Sequence, residues 1–149
     1  MVTVAAALQP ATSEQRSEAL DLLRHAHLPV ADLEAGGHAD FIVALDNGKV
    51  VGAIGVEAYG TAALLRSLVV KPAWRGHGIG DALVLAAESG ARSRGVNELW
   101  LLTEDASEYF MRRDYVERDR ASAPGSLQGC AQFRSLCPSS AACLQKRLD

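Results

Sequence analysis

Three glycines, Gly76, Gly78 and Gly80, alternate with His77 and Ile79 directly after Arg75. A phosphate-rich ligand needs closely spaced backbone N–H donors, and it approaches them best where side chains are absent. The run Leu68-Val69-Val70 before this segment has strand character, Pro72 ends it, and an apolar stretch at helical spacing follows. The glycines therefore fall where a strand hands over to a helix, with the positive end of the helix dipole aimed at an anion and Arg75 as an added cation. A glycine loop standing alone is often only a tight turn, and the flanking strand and helix are what raise its specificity. The spacing G-x-G-x-G departs from the dinucleotide fingerprint G-x-G-x-x-G, and no Gly-Lys-Ser or Gly-Lys-Thr completes a P-loop.

Other residues are placed to act on a second reactant. Arg66 and Ser67 interrupt an apolar strand, and strand alternation sends one to each face. An arginine on a cleft face clamps a carboxylate or oxyanion through its planar fork, and the alternative is a salt bridge. Glu104 and Asp105 follow the next strand, where a carboxylate either activates an amine or caps the helix that starts there. Cys130, Cys137 and Cys143 crowd the last twenty residues at spacings that match neither a disulfide framework nor a zinc ribbon. They read as a soft-ion site if they converge and as reduced, partly buried thiols if they do not.

The elements that position these residues are legible along the chain. Val2 to Leu8 forms a first strand broken by Pro10. Thr12 and Gln15 make a capping box, followed by Leu20, Leu23 and His27 at helical spacing, with an end near Leu28-Pro29. Asp32, Glu34, Gly36, Gly37 and His38 form a loop or short helix. Phe41 to Leu45, Val50 to Glu57 and Ala62 to Val70 form an antiparallel meander, turned at Asp46-Asn47-Gly48-Lys49 and at Tyr59-Gly60-Thr61. Ile79, Leu83, Ala86, Ala87 and Gly90 mark the inner face of the helix after the glycines, and Gly95 ends it. A strand over Glu98 to Thr103, a helix over Asp105 to Arg113 and a closing strand over Ala141 to Leu148 complete the order. A strand, crossover helix and strand around residues 64 to 103 calls for one parallel pairing or splayed neighbours in an otherwise antiparallel sheet.

Composition sets the limits. At 149 residues, with 48% hydrophobic and 22% charged residues, one core and a compact soluble protein are expected. The net charge of -3 without a basic block argues against nucleic acid as the main partner. No apolar run approaches the ~20 residues of a membrane helix. Met1-Val2-Thr3-Val4 has no positive region ahead of its apolar residues, so no membrane partner and a cytoplasmic location are expected.

On these residues the stretch Leu68 to Gly80 resembles motif A of the GNAT acetyltransferases, R or Q-x-x-G-x-G or A, which Arg75, Gly78 and Gly80 meet. The resemblance extends to the element order over most of the chain. It implies one domain over residues 1–149 with the mixed α+β GNAT acyl-CoA N-acyltransferase fold, a mostly antiparallel central sheet splayed at its fourth and fifth strands with flanking helices. It implies that Arg75, Gly76, His77, Gly78, Ile79 and Gly80 hold the diphosphate of acetyl-coenzyme A, and that Leu68, Val69 and Val70 carry the pantetheine arm. The activity implied is acetyl transfer to the amine of a small molecule, by direct attack on the thioester, without a metal and without a cysteine nucleophile.

A second segment, Ala106 to Tyr115, looks like the family's A-x-x-[LF]-Y-x-x-x-G-F. It puts Phe110 where many members have the tyrosine that protonates the leaving thiolate. Phe110 is then expected to pack beside the coenzyme. Either the thiolate leaves without a tyrosine, or another group such as Tyr109 serves, or turnover is poor; successive helix residues differ by ~100° in direction, so Tyr109 does not simply replace its neighbour. Read from their types and positions, Arg66 and Ser67 are the candidates for binding the acceptor, and Glu104 is the candidate base. The tail Phe133-Arg134-Ser135-Leu136-Cys137-Pro138-Ser139-Ser140-Ala141 resembles the short acetyltransferase-like proteins of bacterial arsenic-resistance operons, which implies a role in arsenic detoxification. Homodimers are common in the family, with the apolar closing strand as the candidate interface.

Overall fold

A computed structural model describes residues 6–34, 39–136 and 140–148, with residues 135 and 136 by their backbone alone. Gly36, Gly37, His38, Cys137, Pro138 and Ser139, named above, lie outside the described residues, as does the part of the first expected strand before Ala6. Seven strands form one mixed sheet in the order β1-β2-β3-β4-β5-β7-β6. They are β1 (Ala7–Pro10), β2 (Asp40–Asp46), β3 (Lys49–Tyr59), β4 (Ala62–Val70), β5 (Glu98–Thr103), β6 (Val116–Glu117) and β7 (Ala142–Arg147). The helices are α1 (Ser13–His25), α2 (Ala31–Glu34), α3 (Ile79–Ser93), α4 (Ser107–Met111) and α5 (Gly125–Gln128). The chain divides into two compact units, Met1–Val56 with Ser67–Gly90 and Glu57–Arg66 with Ala91–Asp149.

In the first unit β1 and β2 pair antiparallel, as do β2 and β3. The β2–β3 turn has Asn47 at φ 52° and Gly48 at φ 77°, the two left-handed residues that match the twist of a two-residue hairpin. The capping box forms as expected, with the Thr12 hydroxyl accepting from Gln15 N–H at 3.2 Å and the Gln15 side-chain Oε1 accepting from Thr12 N–H at 3.0 Å. Ala19, Leu23, Leu33, Phe41, Val43, Val50, Ala53 and Val69 build this unit's core. A leucine buried like Leu23, fully hidden from solvent, contributes about 1.5–3 kcal/mol.

Two expectations in this unit are corrected. Pro10 is the last residue of β1 and pairs with Ile42 rather than breaking the strand, because an edge strand asks for no N–H on its outer side. Helix α1 stops at His25, earlier than Leu28-Pro29, since His27 adopts a left-handed φ of 59°.

In the second unit β5 pairs antiparallel with β7 over six residue pairs, and β7 pairs with β6. The first three residues of β4 run parallel to β5, from Ala62↔Glu98 to Leu64↔Trp100, the first of the two arrangements that the crossover allowed. Ala62, Leu64, Trp100, Ala123, Leu127, Cys130, Phe133 and Cys143 pack together as its core. The helix expected over Asp105 to Arg113 is shorter, Ser107–Met111. The last third holds more structure than expected: β6, a 3₁₀ turn (Arg120–Ser122), α5 and a π-helical turn (Gln132–Leu136).

Candidate functional site

Strand β4 delivers the glycine segment. Lys71 N–H donates to the Val51 carbonyl at 2.8 Å, a 3₁₀ turn follows over Pro72–Trp74, and α3 begins at Ile79. Gly76 has φ 79° and Gly78 has φ 81°, with His77 between them. A left-handed residue either side of an ordinary one produces the concave run of amides that binds anions, and only glycine adopts it without cost. A Cβ placed on Gly76 or Gly78 would meet nothing within 4 Å, so both positions border open space rather than packed protein. The first bond of α3 runs from Ala82 N–H to the Gly78 carbonyl at 3.0 Å. The amides of Ile79 and Gly80 precede it, in the turn where a helix leaves its donors to other partners.

Arg75, Gly76, His77 and Gly78 are exposed, Gly80 is half-buried, and Ile79 is buried and anchors the helix start. Arg75 Nε donates to the Val70 carbonyl at 3.0 Å, which holds the guanidinium at the end of β4. These residues fit a diphosphate: bare backbone, a helix start, a cation and room. Of the other strand-end residues, Val69 is buried in the core, and Leu68 and Val70 are half-buried.

Gly52 is a contributor that the sequence did not reveal. A Cβ there would sit 3.1 Å from the Val69 carbonyl oxygen, 3.2 Å from Leu83 Cδ1 and 3.3 Å from Ile79 Cγ2. Its bare Cα lets the first two turns of α3 lie close on β3. The sequence signal was a glycine inside a strand, which marks a close approach.

Arg66 and Ser67 lie on β4 but not as simple alternation predicts. Ser67 has φ 60°, so the strand's period of two is interrupted there. The Arg66 side chain is fully buried, and its Nη1 donates to Glu57 Oε2 at 2.6 Å. Tyr59 hydroxyl donates to the other oxygen, Glu57 Oε1, at 2.6 Å. Burial raises the Tyr59 phenol far above its usual range, and the adjoining Glu57 carboxylate adds to it. Of the two readings of Arg66, the ion pair is the one this geometry contains. Glu57 and Tyr59 were missed; the available signal was an acid nine residues before the arginine across an expected hairpin.

Glu104 and Asp105 are exposed. Neither caps α4: the Thr103 hydroxyl accepts from Ala106 N–H at 3.0 Å, and Ala106 at the N-cap makes no side-chain cap bond. Tyr109 is half-buried, with the Arg113 guanidinium 3.6 Å from its ring centroid and Arg113 Nη1 donating to its carbonyl at 2.7 Å. Phe110 is buried, edge-on to Tyr109 at 5.0 Å and to Tyr115 at 5.3 Å. Asp114 stands where the A-x-x-[LF]-Y-x-x-x-G-F pattern has glycine, and its φ of 72° explains why that position favours one.

Cys130 and Cys143 are buried in the second unit's core. Burial raises both thiols, Cys143 up to about 11. Among the described residues no three His, Cys, Asp or Glu side chains group to hold a metal ion, and no helix is long and apolar enough to cross a membrane.

The sequence model of the acetyltransferase (GNAT) family matches residues 4–116. A protein of Chlorobaculum tepidum, named as an uncharacterized N-acetyltransferase, is 36% identical over 106 residues, covering 70% of this chain and 65% of its own length. Among solved structures, N-acetylglutamate synthase of Neisseria gonorrhoeae with coenzyme A and N-acetyl-glutamate superposes with a TM-score of 0.84 at 16% identity, over 99% of this chain and 36% of that one. A Mycobacterium tuberculosis protein in complex with coenzyme A gives 0.79 at 21% identity, over 96% and 99%. A GNAT-family acetyltransferase of Staphylococcus aureus gives 0.76 at 17%, over 97% and 100%.

Proposed function

The chain belongs to the acetyltransferase (GNAT) family, and from that premise we propose that it is a single-domain N-acetyltransferase moving an acetyl group from acetyl-coenzyme A to the amine of a small molecule. The observation that carries this reading is the pair of left-handed glycines, Gly76 and Gly78, bordering open space at the start of α3. Coenzyme A in several proteins of this fold supports the choice of ligand.

Bound at this loop, acetyl-coenzyme A supplies the thioester that an amine attacks. The amides from Gly76 to Gly80 hold the diphosphate, and Arg75 balances its charge. Leu68, Val69 and Val70 carry the pantetheine arm by main-chain bonds. Glu104 takes the proton that the attacking amine loses, and the Tyr109 hydroxyl returns one to the sulfur as the C–S bond breaks. Ser67 supplies a hydroxyl on the acceptor side, with Arg66 held behind it by Glu57. The left-handed Ser67 supports that placement, since backbone strain collects at functional sites. Phe110 packs beside the coenzyme.

The setting proposed is the cytoplasm, without a membrane or nucleic-acid partner, as a monomer or homodimer. The tail from Phe133 to Ala141 supports a role in arsenic detoxification, with an amino-bearing organoarsenical as acceptor. A second reading, a noncatalytic coenzyme A-binding or metalloid-sensing module, is favoured by one observation, the buried Phe110 with no hydroxyl to offer.

Calorimetric titration with acetyl-coenzyme A, followed by a thiol-release assay over an amine panel that includes aminoaryl arsenicals, separates these readings. Binding with thiol release supports the transferase, and binding without release on any amine supports the second reading. In the folded Gly78→Glu variant, bulk and negative charge enter the cradle and binding is lost; unchanged affinity there rejects the site.

A further inference from the structure

We infer that Trp74 is a positioning residue for the diphosphate cradle, tying the glycine segment to the β2–β3 hairpin through Asp46; the inference rests on the cradle assignment above. From Pro72 to Gly78 every residue is exposed except Trp74, which is half-buried. Its indole Nε1–H donates to Asp46 Oδ2 at 3.3 Å, across 28 residues of sequence. The ammonium of Lys71 lies over the face of the same ring, 5.9 Å from its centroid. Other bonds of this stretch are local in sequence, such as Trp74 N–H to the Lys71 carbonyl at 2.9 Å, Arg75 N–H to the Pro72 carbonyl at 3.3 Å and Ala82 N–H to the Gly78 carbonyl at 3.0 Å.

The physical consequence concerns preorganisation. An exposed loop carrying Gly76 and Gly78 loses conformational freedom when it closes on a ligand, and glycine has the most to lose. A side chain that fixes the loop beforehand transfers that loss to folding, so the ligand binds more tightly. Asp46 belongs to the last pair of the β2–β3 ladder, opposite Lys49, and so offers a fixed acceptor next to a rigid turn. Trp74 supplies both halves of the tether: ring area that packs, and a single donor that sets direction. Neither residue needs to touch the ligand.

The test is calorimetric affinity for acetyl-coenzyme A in wild type, Trp74→Phe, Asp46→Ala, Asp46→Asn and Gly78→Glu, with thermal midpoints as the control for folding. Trp74→Phe keeps the ring and removes the donor; Asp46→Ala removes the acceptor, and Asp46→Asn restores an acceptor oxygen. Both losses are expected to raise Kd roughly 10-fold, the size of one hydrogen bond to a charged group, with the midpoint little changed, kcat at saturation within about twofold and Asp46→Asn recovering most of the affinity. If Gly78→Glu loses binding while Trp74→Phe and Asp46→Ala keep the wild-type Kd, the tether is overturned and the cradle stands. If Gly78→Glu binds as wild type does, the cradle itself falls and takes the tether with it.

Discussion

Arg66 and Glu57 form a buried ion pair at 2.6 Å, and the Tyr59 hydroxyl occupies the carboxylate oxygen that the arginine leaves. Breaking one partner leaves the other charge unsolvated, so Glu57→Ala is expected to destabilise the fold by about 3–5 kcal/mol. Replacing both together, Glu57→Leu with Arg66→Met, is expected to cost far less, because no charge is then stranded. Urea denaturation of Glu57→Ala and of the double variant measures both. Equal losses in the double and in Glu57→Ala would show that the pair's charge balance is not what holds this region.

Gly52 sets the distance between β3 and the start of α3. A valine there meets the Val69 carbonyl at the Cβ alone, and backbone cannot yield as a side chain can. Gly52→Val is expected to destabilise by about 1–3 kcal/mol through overpacking. Affinity for acetyl-coenzyme A should fall as well, since Ile79 begins the helix whose amides form the cradle. Titration of the folded variant checks this, and full affinity would show that the helix start tolerates displacement.

Tyr109 is half-buried with its ring 5.0 Å from that of Phe110, and Arg113 braces that ring. If its hydroxyl protonates the leaving sulfur, Tyr109→Phe lowers kcat by about 100-fold and leaves the affinity for the coenzyme alone. The reciprocal Phe110→Tyr places a hydroxyl at the tyrosine position of the A-x-x-[LF]-Y-x-x-x-G-F pattern. Thiol-release kinetics on both variants decide which position serves; unaltered kcat in Tyr109→Phe removes it from the chemistry.

Cys143 is pushed up to about 11 by burial. A raised thiol value means that the folded protein keeps a proton that the unfolded chain has already released. Stability from this group is therefore intact below the unfolded value near ~8.5 and is lost as pH climbs toward about 11. The urea midpoint is expected to fall between pH 8.5 and pH 11, and less steeply in Cys143→Ala. Alkylation by iodoacetamide should be slow in the native protein at pH 8 and fast once urea unfolds it.

Where local chemistry decides the backbone, the sequence was enough. Asn47-Gly48 dictated a hairpin, Thr12 and Gln15 a helix start, and the glycines from 76 to 80 a strand-to-helix junction, because each depends on residues a few positions apart. The ends of α1 and α4 were misjudged because His27 and Asp114 adopt left-handed backbone without being glycine. Strand β6 has two residues and takes its place from pairing with β7, a partner with no local signature in Val116-Glu117. Around the candidate site, Arg66 was visible but its partner was not: a charge inside an apolar strand announces that something compensates it, and only the fold says that Glu57 does.

The two compact units share their chain in alternating stretches, passing from one to the other after Val56, Arg66 and Gly90. Neither is therefore a contiguous length of polypeptide, and no single cut frees one whole without residues of the other. A protease nick within residues 57–90 yields fragments that each lack part of both, and neither unit can be shuffled between genes as one exon-like cassette.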